Sequence, residues 1–308
     1  MRELFRPSAL RPGDVVHVIS PSGPVIPDNI AAGVELLRSW DLDPIVDDGV
    51  YRRRPPFDYL AGDDDHRHRA FVSALEDPRC RAIICTRGGY GAMRWMTRLR
   101  PSDLPEDPPL LVGFSDVTAL LLDFCGRLGV ATLHGPVVKS LARQEHDPES
   151  AELLRRALFA DDPHPPWTGL QTVRPGQVTA PVYGGNLSLI CALLATPSCP
   201  DLSGAILIVE DVGEDDYRVD RLLTTLRLAV PDLGGLVLGE FLNCHGVYVT
   251  PERSQEYLAT LAADFHCPTV LGAPVGHGSV NHAFPLGIKA HLDAAAGTLT
   301  FLDHATRP

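Results

Sequence analysis

Short apolar runs that alternate with longer helical patterns constrain the fold of this chain more than any other feature. Three runs in the first half predict buried strands, at Val15–Ser20, Ala82–Thr86 and Leu110–Phe114. Four segments predict helices, at Asp28–Trp40, Asp63–Glu76, Gly91–Leu99 and Val117–Leu128. Strands without a polar face must be covered on both sides, which is typical of a parallel sheet joined by helices. We therefore predict an α/β fold for this half.

A stretch rich in proline and glycine interrupts the alternation and predicts a domain boundary. Residues 161–166 and 174–176 are unfavourable to regular structure. Further strands and helices follow, and Ile288–Leu292 with Thr298–Leu302 predicts an antiparallel hairpin. We predict an N-terminal domain of residues 1–165, including its linker, and a C-terminal α/β domain of residues 166–308.

The chain is acidic, with 27 Lys and Arg against 39 Asp and Glu and a formal net charge of −12. Nucleic acids and anionic membranes both favour clustered basic residues, so neither is expected as a partner. No apolar run approaches the roughly 18–20 residues that span a bilayer. The start of the sequence also lacks the apolar region of a secretory signal. We expect a soluble, cytoplasmic protein.

Seven cysteines are scattered through the chain without a C-x-x-C pair. Most have apolar neighbours, as Cys85 and Cys191 do, which is typical of reduced cysteines in a cytosolic core rather than of disulfides or zinc ligands. His277 and His282 lie five residues apart in a glycine-rich loop and lack the i, i+4 spacing of helical zinc motifs. The sequence predicts no metal site and no cofactor.

A serine follows the predicted strand Leu110–Phe114 directly. Ser115 stands between that strand and the next helix, where a sharp turn exposes a hydroxyl beside helix N–H groups, as in a nucleophile elbow. Val117 occupies the position of the second glycine in the usual G-x-S-x-G pattern. The alternative is that Ser115 or Asp116 only caps the helix, as both residue types often do.

A glycine-rich segment, Arg87–Gly91, follows the strand Ala82–Thr86. Glycines allow a turn with bare backbone N–H groups, which suit an anion or an oxyanion. The segment is not a G-x-G-x-x-G motif, because Arg94 occupies its last position, and the sequence contains no G-K-[ST]. A nucleotide site is therefore weakly supported.

Two further polar positions lie near strand ends in the second half. An apolar run ends in Glu210 and Asp211, and a buried carboxylate needs a histidine, an arginine or backbone donors as its partner. The alternative is a structural ion pair with Arg218 or Arg221. His277, between two glycines, lies on a tight loop after the strand near Thr269–Leu271, although a single histidine is more often structural.

Taken together, these positions supply a serine, a carboxylate, a histidine and bare amides. A serine hydroxyl is a poor nucleophile near neutral pH and needs a base, for which histidine is suited. A carboxylate holds the imidazole in the required tautomer and stabilises its cation. The order along the chain is serine, acid, histidine, with the serine in the first predicted domain. We predict an active site in the cleft between the domains.

A series of motifs in the same order as in a known family spans nearly the whole chain. They are Pro21–Gly23, Tyr59–Gly62, Arg87–Gly91, Gly113–Asp116, His134–Pro136, Gly184–Ser188, Glu210–Asp211 with Tyr217–Arg221, and Gly276–Gly278. Through them the sequence resembles the LD-carboxypeptidase family of cytoplasmic serine peptidases, which includes murein tetrapeptide carboxypeptidases and microcin-C immunity peptidases.

The resemblance implies roles for individual residues. Ser115 would be the nucleophile, Glu210 the acid and His277 the base, with an oxyanion hole formed by the backbone N–H groups of Asp116 and Gly89. It also implies a flavodoxin-like, doubly wound N-terminal domain, a smaller β-rich α/β C-terminal domain and a homodimer. An acyl-enzyme mechanism requires neither a metal nor a cofactor.

The motifs resemble the murein-recycling branch more than the immunity branch. The expected reaction is removal of the terminal D-alanine from cytoplasmic murein tetrapeptide, and Arg218 or Arg221 is expected to bind the substrate carboxylate. Local pairing of Arg221 with Asp220 or Tyr217 is the alternative for that side chain. The alternative functions are an immunity-type peptidase acting on an aminoacyl adenylate and a non-catalytic two-domain protein that binds a small ligand.

Overall fold

The computed structural model of the protein describes residues 4–141, 147–161, 163–246 and 249–307. The strands in these residues are β1 (Val15–Ile19), β2 (Asp43–Val46), β3 (Cys80–Cys85), β4 (Leu110–Gly113), β5 (Thr132–His134), β6 (Gln171–Arg174), β7 (Gln177–Asn186), β8 (Ile206–Val212), β9 (Gly235–Leu242), β10 (Thr269–Leu271), β11 (Phe284–Leu286), β12 (Lys289–Asp293) and β13 (Thr298–Phe301).

The α-helices in the same residues are α1 (Ala31–Ser39), α2 (Asp64–Glu76), α3 (Thr118–Asp123), α4 (Val138–Leu141), α5 (Pro148–Phe159), α6 (Leu187–Leu193), α7 (Asp216–Ala229) and α8 (Ser254–Ala262). Short 3₁₀ turns occur at Pro27–Asn29, Asp48–Tyr51, Ala92–Arg94, Met96–Arg98, Pro101–Asp103, Ser115–Val117 and Pro251–Arg253, and a π-helical turn at Phe124–Leu128 extends α3. In the described parts of the chain, no helix combines the length and the apolar character needed to cross a membrane.

The first sheet has the strand order β11-β5-β4-β3-β1-β2. Strands β1 to β5 are parallel, and β11 is antiparallel at the edge. The order 2-1-3-4-5 is that of a flavodoxin-like fold, in which ligands bind where the strand order reverses, between β1 and β3. The loops that follow these two strands are therefore placed at the expected ligand crevice.

The second sheet has the order β13-β12-β7-β8-β9-β10-β6. Its centre, from β7 to β10, is parallel, whereas β12, β13 and β6 pair antiparallel. The predicted hairpin near the C-terminus is formed by β12 and β13. A flavodoxin-like sheet with a second, β-rich α/β unit confirms the predicted fold class.

The central strands of the first sheet are buried on both faces. On one face Ile83 packs with residues of α2 and α3, and on the other Ile84 packs with residues of α1 and α5. Strand β3 therefore has no solvent-facing side, which explains its unbroken apolar sequence. Helix α3, which follows Ser115, also packs against α6 and β7, so it joins the cores of the two sheets.

The prediction of a helix at Gly91–Leu99 is wrong, because this segment forms two 3₁₀ turns. The Ala92 backbone N–H donates to Asp116, and the Trp95 indole N–H donates to the carbonyl of Pro21 at 2.9 Å. Trp95 is fully buried. Contacts with other loops therefore fix the path of this segment in place of helical hydrogen bonds.

Strand β11 links the two halves of the chain in a way that the sequence analysis did not predict. Its residues pair with β5 of the first sheet, with Phe284 opposite His134. Residue 174, where irregular structure was predicted, ends β6, and β7 begins at residue 177. Position 162 lies outside the described residues. The domain limit at residue 165 stays a prediction.

Candidate active site

Ser115 lies on a strained turn between β4 and α3. Its φ of +65° is in the left-handed region, which a residue with a side chain rarely adopts. Gly113 has no side chain at a point where a Cβ would lie 2.6 Å from Cγ1 of Val117. Backbone strain of this kind is characteristic of functional sites and of the nucleophile elbow in particular.

The three residues predicted as a triad come together in the structure. The Nε2 atom of His277 lies 2.9 Å from Oγ of Ser115, and Nδ1 of His277 lies 2.6 Å from Oε2 of Glu210. Glu210 is fully buried on β8, and His277 lies on the loop between β10 and β11. In this arrangement the imidazole can accept the serine proton while the carboxylate orients it.

The two carboxylates at the end of β8 have different partners. Glu210 contacts His277, whereas Asp211 accepts hydrogen bonds from the Asn186 side chain at 2.8 Å and from the backbone and hydroxyl of Ser188 at 2.9 and 2.8 Å. Asp211 thus holds the start of α6. A buried carboxylate was expected to have a histidine, an arginine or backbone donors as its partner. Glu210 has the histidine, and Asp211 has a backbone donor.

The buried pair of Glu210 and His277 has shifted protonation equilibria. Burial raises the pKa of Glu210, although the hydrogen bond and charge of His277 oppose this shift. Burial acts to lower the pKa of His277, but the hydrogen bond and charge of Glu210 outweigh it, so the pKa lies above its ordinary 6.5. The charges of Asp211 and Glu240 act in the same direction. The site therefore favours an imidazolium ion, the form that His277 takes after accepting a proton.

A second histidine near the site stays neutral. His134 is fully buried, and burial lowers its pKa to about 4. Its Nε2 atom lies 3.0 Å from Oδ1 of Asn281. The ring of Phe114 lies between the two histidines, with its centroid 5.0 Å from that of His277 and 5.9 Å from that of His134. Neither Phe114 nor the neutral His134 therefore adds a charge beside His277.

The glycine-rich loop after β3 packs directly on the nucleophile. A Cβ at Gly88 would lie 2.6 Å from Cβ and 2.8 Å from Oγ of Ser115, and 3.0 Å from the backbone nitrogen of Asp116. Gly89, the predicted oxyanion donor, follows with a φ of +114°. The Gly23 N–H donates to the Gly88 carbonyl at 3.2 Å and fixes the loop from the other side. Only glycine fits at Gly88 with this geometry.

The sequence analysis missed Glu240, and it considered Asp116 only as a helix cap or as a backbone donor. The Asp116 carboxylate is buried and accepts hydrogen bonds from Ser22 and Ala92. Glu240 on β9 accepts the backbone N–H of Gly278 at 2.7 Å. Glu240 ends an apolar run in the same way as Glu210, so its position in the sequence was a usable signal. The contacts of Asp116 depend on distant loops and had no local signal.

Arg218 and Arg221 were predicted to bind the substrate. In the structure both contact side chains near the start of α7. Arg218 lies 3.5 Å from Glu214 and 3.4 Å from Asp215, and its Nε donates to the Tyr217 hydroxyl at 3.2 Å. The guanidinium groups of Arg218 and Arg221 lie 5.8 and 5.7 Å from the centre of the Tyr217 ring. The contact of Arg221 with Tyr217 is one of the two local pairings that the sequence analysis gave as the alternative to substrate binding. Carboxylate binding by either arginine stays a prediction.

One group of side chains has the composition of a metal site. Asp147, Glu149 and His282 have potential ligand atoms within 4.8 Å of one another. Asp147 also caps α5, because its Oδ1 accepts the Glu149 N–H at 3.3 Å. The group shares no residue with the arrangement of Ser115, His277 and Glu210. His282 lies 3.4 Å from Asp147, whereas His277 contacts Ser115 and Glu210.

Comparison with known proteins identifies the family. The LD-carboxypeptidase N-terminal domain matches residues 16–135 and the LD-carboxypeptidase C-terminal domain matches residues 179–292. A Streptomyces coelicolor protein named only as a carboxypeptidase is 40% identical over 311 residues, covering 97% of each chain. The murein tetrapeptide carboxypeptidase of Pseudomonas aeruginosa is 31% identical over 290 residues, covering 90% of this chain and 92% of that protein.

A solved structure supports the same fold. An MccF-like protein from Bacillus anthracis has a TM-score of 0.85 at 24% identity, covering 97% of this chain and 100% of that one. At this identity the similarity concerns the fold alone. The family matches and the relatives confirm the resemblance that the motifs carried: the chain belongs to the LD-carboxypeptidase family and is a serine-type carboxypeptidase.

Proposed function

We propose that this carboxypeptidase removes the terminal D-alanine from murein tetrapeptide, cutting the bond after the L-centre of the diamino acid. The proposed reaction mechanism rests on the two contacts of His277, one with Ser115 and one with Glu210. The substrate part is supported by similarity to the Pseudomonas aeruginosa murein tetrapeptide carboxypeptidase along nearly the whole chain.

In the acylation step, Oγ of Ser115 attacks the carbonyl carbon before D-alanine while His277 Nε2 takes the serine proton. Glu210 stabilises the imidazolium through Nδ1. The carbonyl oxygen becomes an oxyanion, for which the backbone N–H groups of Asp116 and Gly89 are the proposed donors. The C–N bond then breaks, and D-alanine leaves with the proton that His277 returns to its amine.

Deacylation repeats the same steps with water. His277, neutral again, takes a proton from a water molecule, and the hydroxide attacks the acyl-enzyme ester. Collapse of the second tetrahedral intermediate breaks the bond to Oγ, and Ser115 recovers its proton from His277. The released product is the tripeptide, and the sequence of steps consumes one water and no cofactor.

The proposal is tested by comparing three peptides: murein tetrapeptide, its C-terminal amide and its terminal L-Ala epimer. Loss of the terminal carboxylate leaves a binding guanidinium unpaired, which lowers cleavage roughly 30- to several-thousand-fold. The epimer directs its methyl group into the space meant for hydrogen. Mass spectrometry of the digests measures the release of alanine. Equal cleavage of the D- and L-terminated peptides would exclude the murein specificity.

Two further measurements address the alternatives. Release of product from an aminoacyl-adenylate analogue, with no cleavage of the tetrapeptide, would assign the protein to the immunity branch. A fluorophosphonate that labels Ser115 would exclude a protein that only binds its ligand. A homodimer in the cytoplasm completes the proposal, and sedimentation of the purified protein measures its oligomeric state.

A further inference from the structure

The side chain of Asp116 lies at the junction of three loops around the nucleophile. Its Oδ2 atom accepts the Ser22 hydroxyl at 2.6 Å and the Ala92 backbone N–H at 3.0 Å. Ser22 follows β1, Ala92 ends the glycine-rich loop after β3, and Asp116 itself follows β4. One carboxylate thus connects the turns that follow three adjacent strands of the first sheet.

A helix cap does not explain these contacts. The turn at Ser115–Val117 and helix α3 both begin without a side-chain hydrogen bond from their capping residues. The partners of Asp116 are Ser22 and Ala92, which lie far from it in sequence. Burying a carboxylate is costly without such donors. The hydrogen bonds are therefore directed at the neighbouring loops rather than at the helix that Asp116 precedes.

The glycine-rich loop is held by hydrogen bonds at Gly88, whose carbonyl accepts the Gly23 N–H, and at Ala92, whose N–H donates to Asp116. Its middle is made of Gly88 and Gly89, and Gly91 has a φ of +138°. Glycine leaves the backbone free to adopt many conformations, so the direction of each N–H depends on where the loop is fixed. The loop leaves β3 at one end, and at the other end the Ala92 N–H is bound to Asp116.

We propose that the Asp116 carboxylate is a positioning residue for the oxyanion hole. Its own backbone N–H is one proposed donor, and its side chain fixes the loop that carries the other, Gly89. The distance between the two donors then depends on the two hydrogen bonds of this carboxylate, together with the bond from Gly23 to the Gly88 carbonyl. This inference rests on the proposed function, because it assumes that an oxyanion forms at Ser115.

Three substitutions test it. Asp116→Ala removes both hydrogen bonds and should lower kcat about 10²- to 10³-fold, as loss of one oxyanion donor does elsewhere. Ser22→Ala removes one bond to the carboxylate and should lower kcat about tenfold. Asp116→Asn keeps an oxygen that can accept both hydrogen bonds, so its kcat should fall no more than that of Ser22→Ala. KM should change by less than about threefold in all three, since the ground-state carbonyl bonds weakly to the hole.

A matched control is available in the same loop. Ser20 is buried and exchanges a hydrogen bond with the Thr86 hydroxyl, but it does not contact Asp116. Ser20→Ala therefore removes a buried hydroxyl two positions from Ser22 without touching the carboxylate. Its kcat should stay within about twofold of the wild type. An equal loss in Ser20→Ala and Ser22→Ala would overturn the proposal, because general loop packing would then explain both.

The rate of Ser115 labelling by a fluorophosphonate provides a readout that needs no peptide substrate. Phosphonylation also develops negative charge on an oxygen in the hole, so labelling should slow by the same factors as kcat. Asp116→Ala that labels and turns over within about threefold of the wild type would contradict the inference. If Asp116→Ala does not fold, the proposal is tested by comparing the kcat values and labelling rates of Ser22→Ala and Ser20→Ala.

The same readout separates this inference from the proposed function. If the wild type labels at Ser115 but leaves murein tetrapeptide uncut, the substrate assignment fails, and the ratios of labelling rates still support or overturn the role of Asp116. If the wild type does not label at Ser115, the nucleophile itself is wrong and the inference falls with it.

Discussion

Ser115 and His277, the proposed nucleophile and base, are held in place by different physical means. Ser115 sits on a turn with a positive φ, and Gly88 packs against it with no room for a side chain. His277 lies on a loop held by two carboxylates, with Glu210 bonded to its ring and Glu240 bonded to the next backbone N–H. The position of Ser115 thus depends on close packing, whereas that of His277 depends on charged groups as well as on the close packing of the glycines beside it.

This difference predicts which substitutions affect which residue. Changes of volume next to Ser115 should lower activity at every pH, because they displace an atom that does not titrate. Changes of charge next to His277 should move the pH dependence, because they alter the pKa of the base. Substitutions at Ser115, His277 and their neighbours therefore test this difference.

The largest effect is expected from removing either reacting group. Ser115→Ala and His277→Ala should each lower kcat about 10⁶-fold, as in other triads where the members act as a unit. Circular dichroism and thermal unfolding check that both variants keep the fold. Near-wild-type turnover by Ser115→Ala, measured as alanine release from the tetrapeptide, would refute the mechanism.

Glu210→Gln should lower kcat about 10⁴-fold, because the imidazole loses the partner that fixes its tautomer. The same change removes the charge that keeps the pKa of His277 above 6.5. Since His277 must be neutral to accept a proton, the acid limb of kcat/KM should move to lower pH in the variant. A pH profile with an unmoved limb would show that charge does not control the base.

Gly88→Ala should lower kcat about 10²- to 10³-fold at all pH values, the size of a lost oxyanion donor. The new methyl group would lie 2.6 Å from Cβ of Ser115, so one of the two backbones must move. Gly169→Ala is the control, because its methyl group meets open space at a φ of +73° and strains only the backbone. A shift of the acid limb in Gly88→Ala would break the distinction between shape and charge.

The smallest effect is expected from Glu240→Gln, which keeps an acceptor for the Gly278 N–H but loses the charge. The acid limb should move down by about a few tenths of a pH unit, since this charge is partly exposed to solvent. Glu240→Ala also loses the acceptor for the Gly278 N–H, so it should lower the maximal kcat/KM of the pH profile as well. Glu256→Gln serves as the control, because this side chain on α8 is exposed. It should leave the pH profile of kcat/KM unchanged.

The contact of His277 with Ser115 and Glu210 was predictable from the positions of these residues along the chain. Ser115, Glu210 and His277 each follow an apolar run, and the family motifs assigned their roles. Strand β7 gave no such signal, since it contains Pro181 and a pair of glycines. Pro181 is tolerated because it lies on the part of β7 that pairs with β12, before pairing with β8 begins at Val182.

Features that depend on distant contacts were not predictable. The apolar spacing of Gly91–Leu99 is typical of a helix, but bonds from Ala92 and Trp95 to other loops override it. The role of Asp116 depends on where the loop after β1 lies, which no local pattern encodes. The arginines of α7 show the converse, because their residue type favoured a binding role while nearby acidic and aromatic groups already engage them.

The return of β11 to the first sheet bears on how the enzyme is made in the cell. A ribosome produces Ser115 before His277, and the loop that carries His277 is fixed at both ends only after β11 pairs with β5. Pairings between segments so far apart in sequence form slowly in folding. During synthesis Ser115 therefore lies without His277 beside it at least until the residues of β11 have been made.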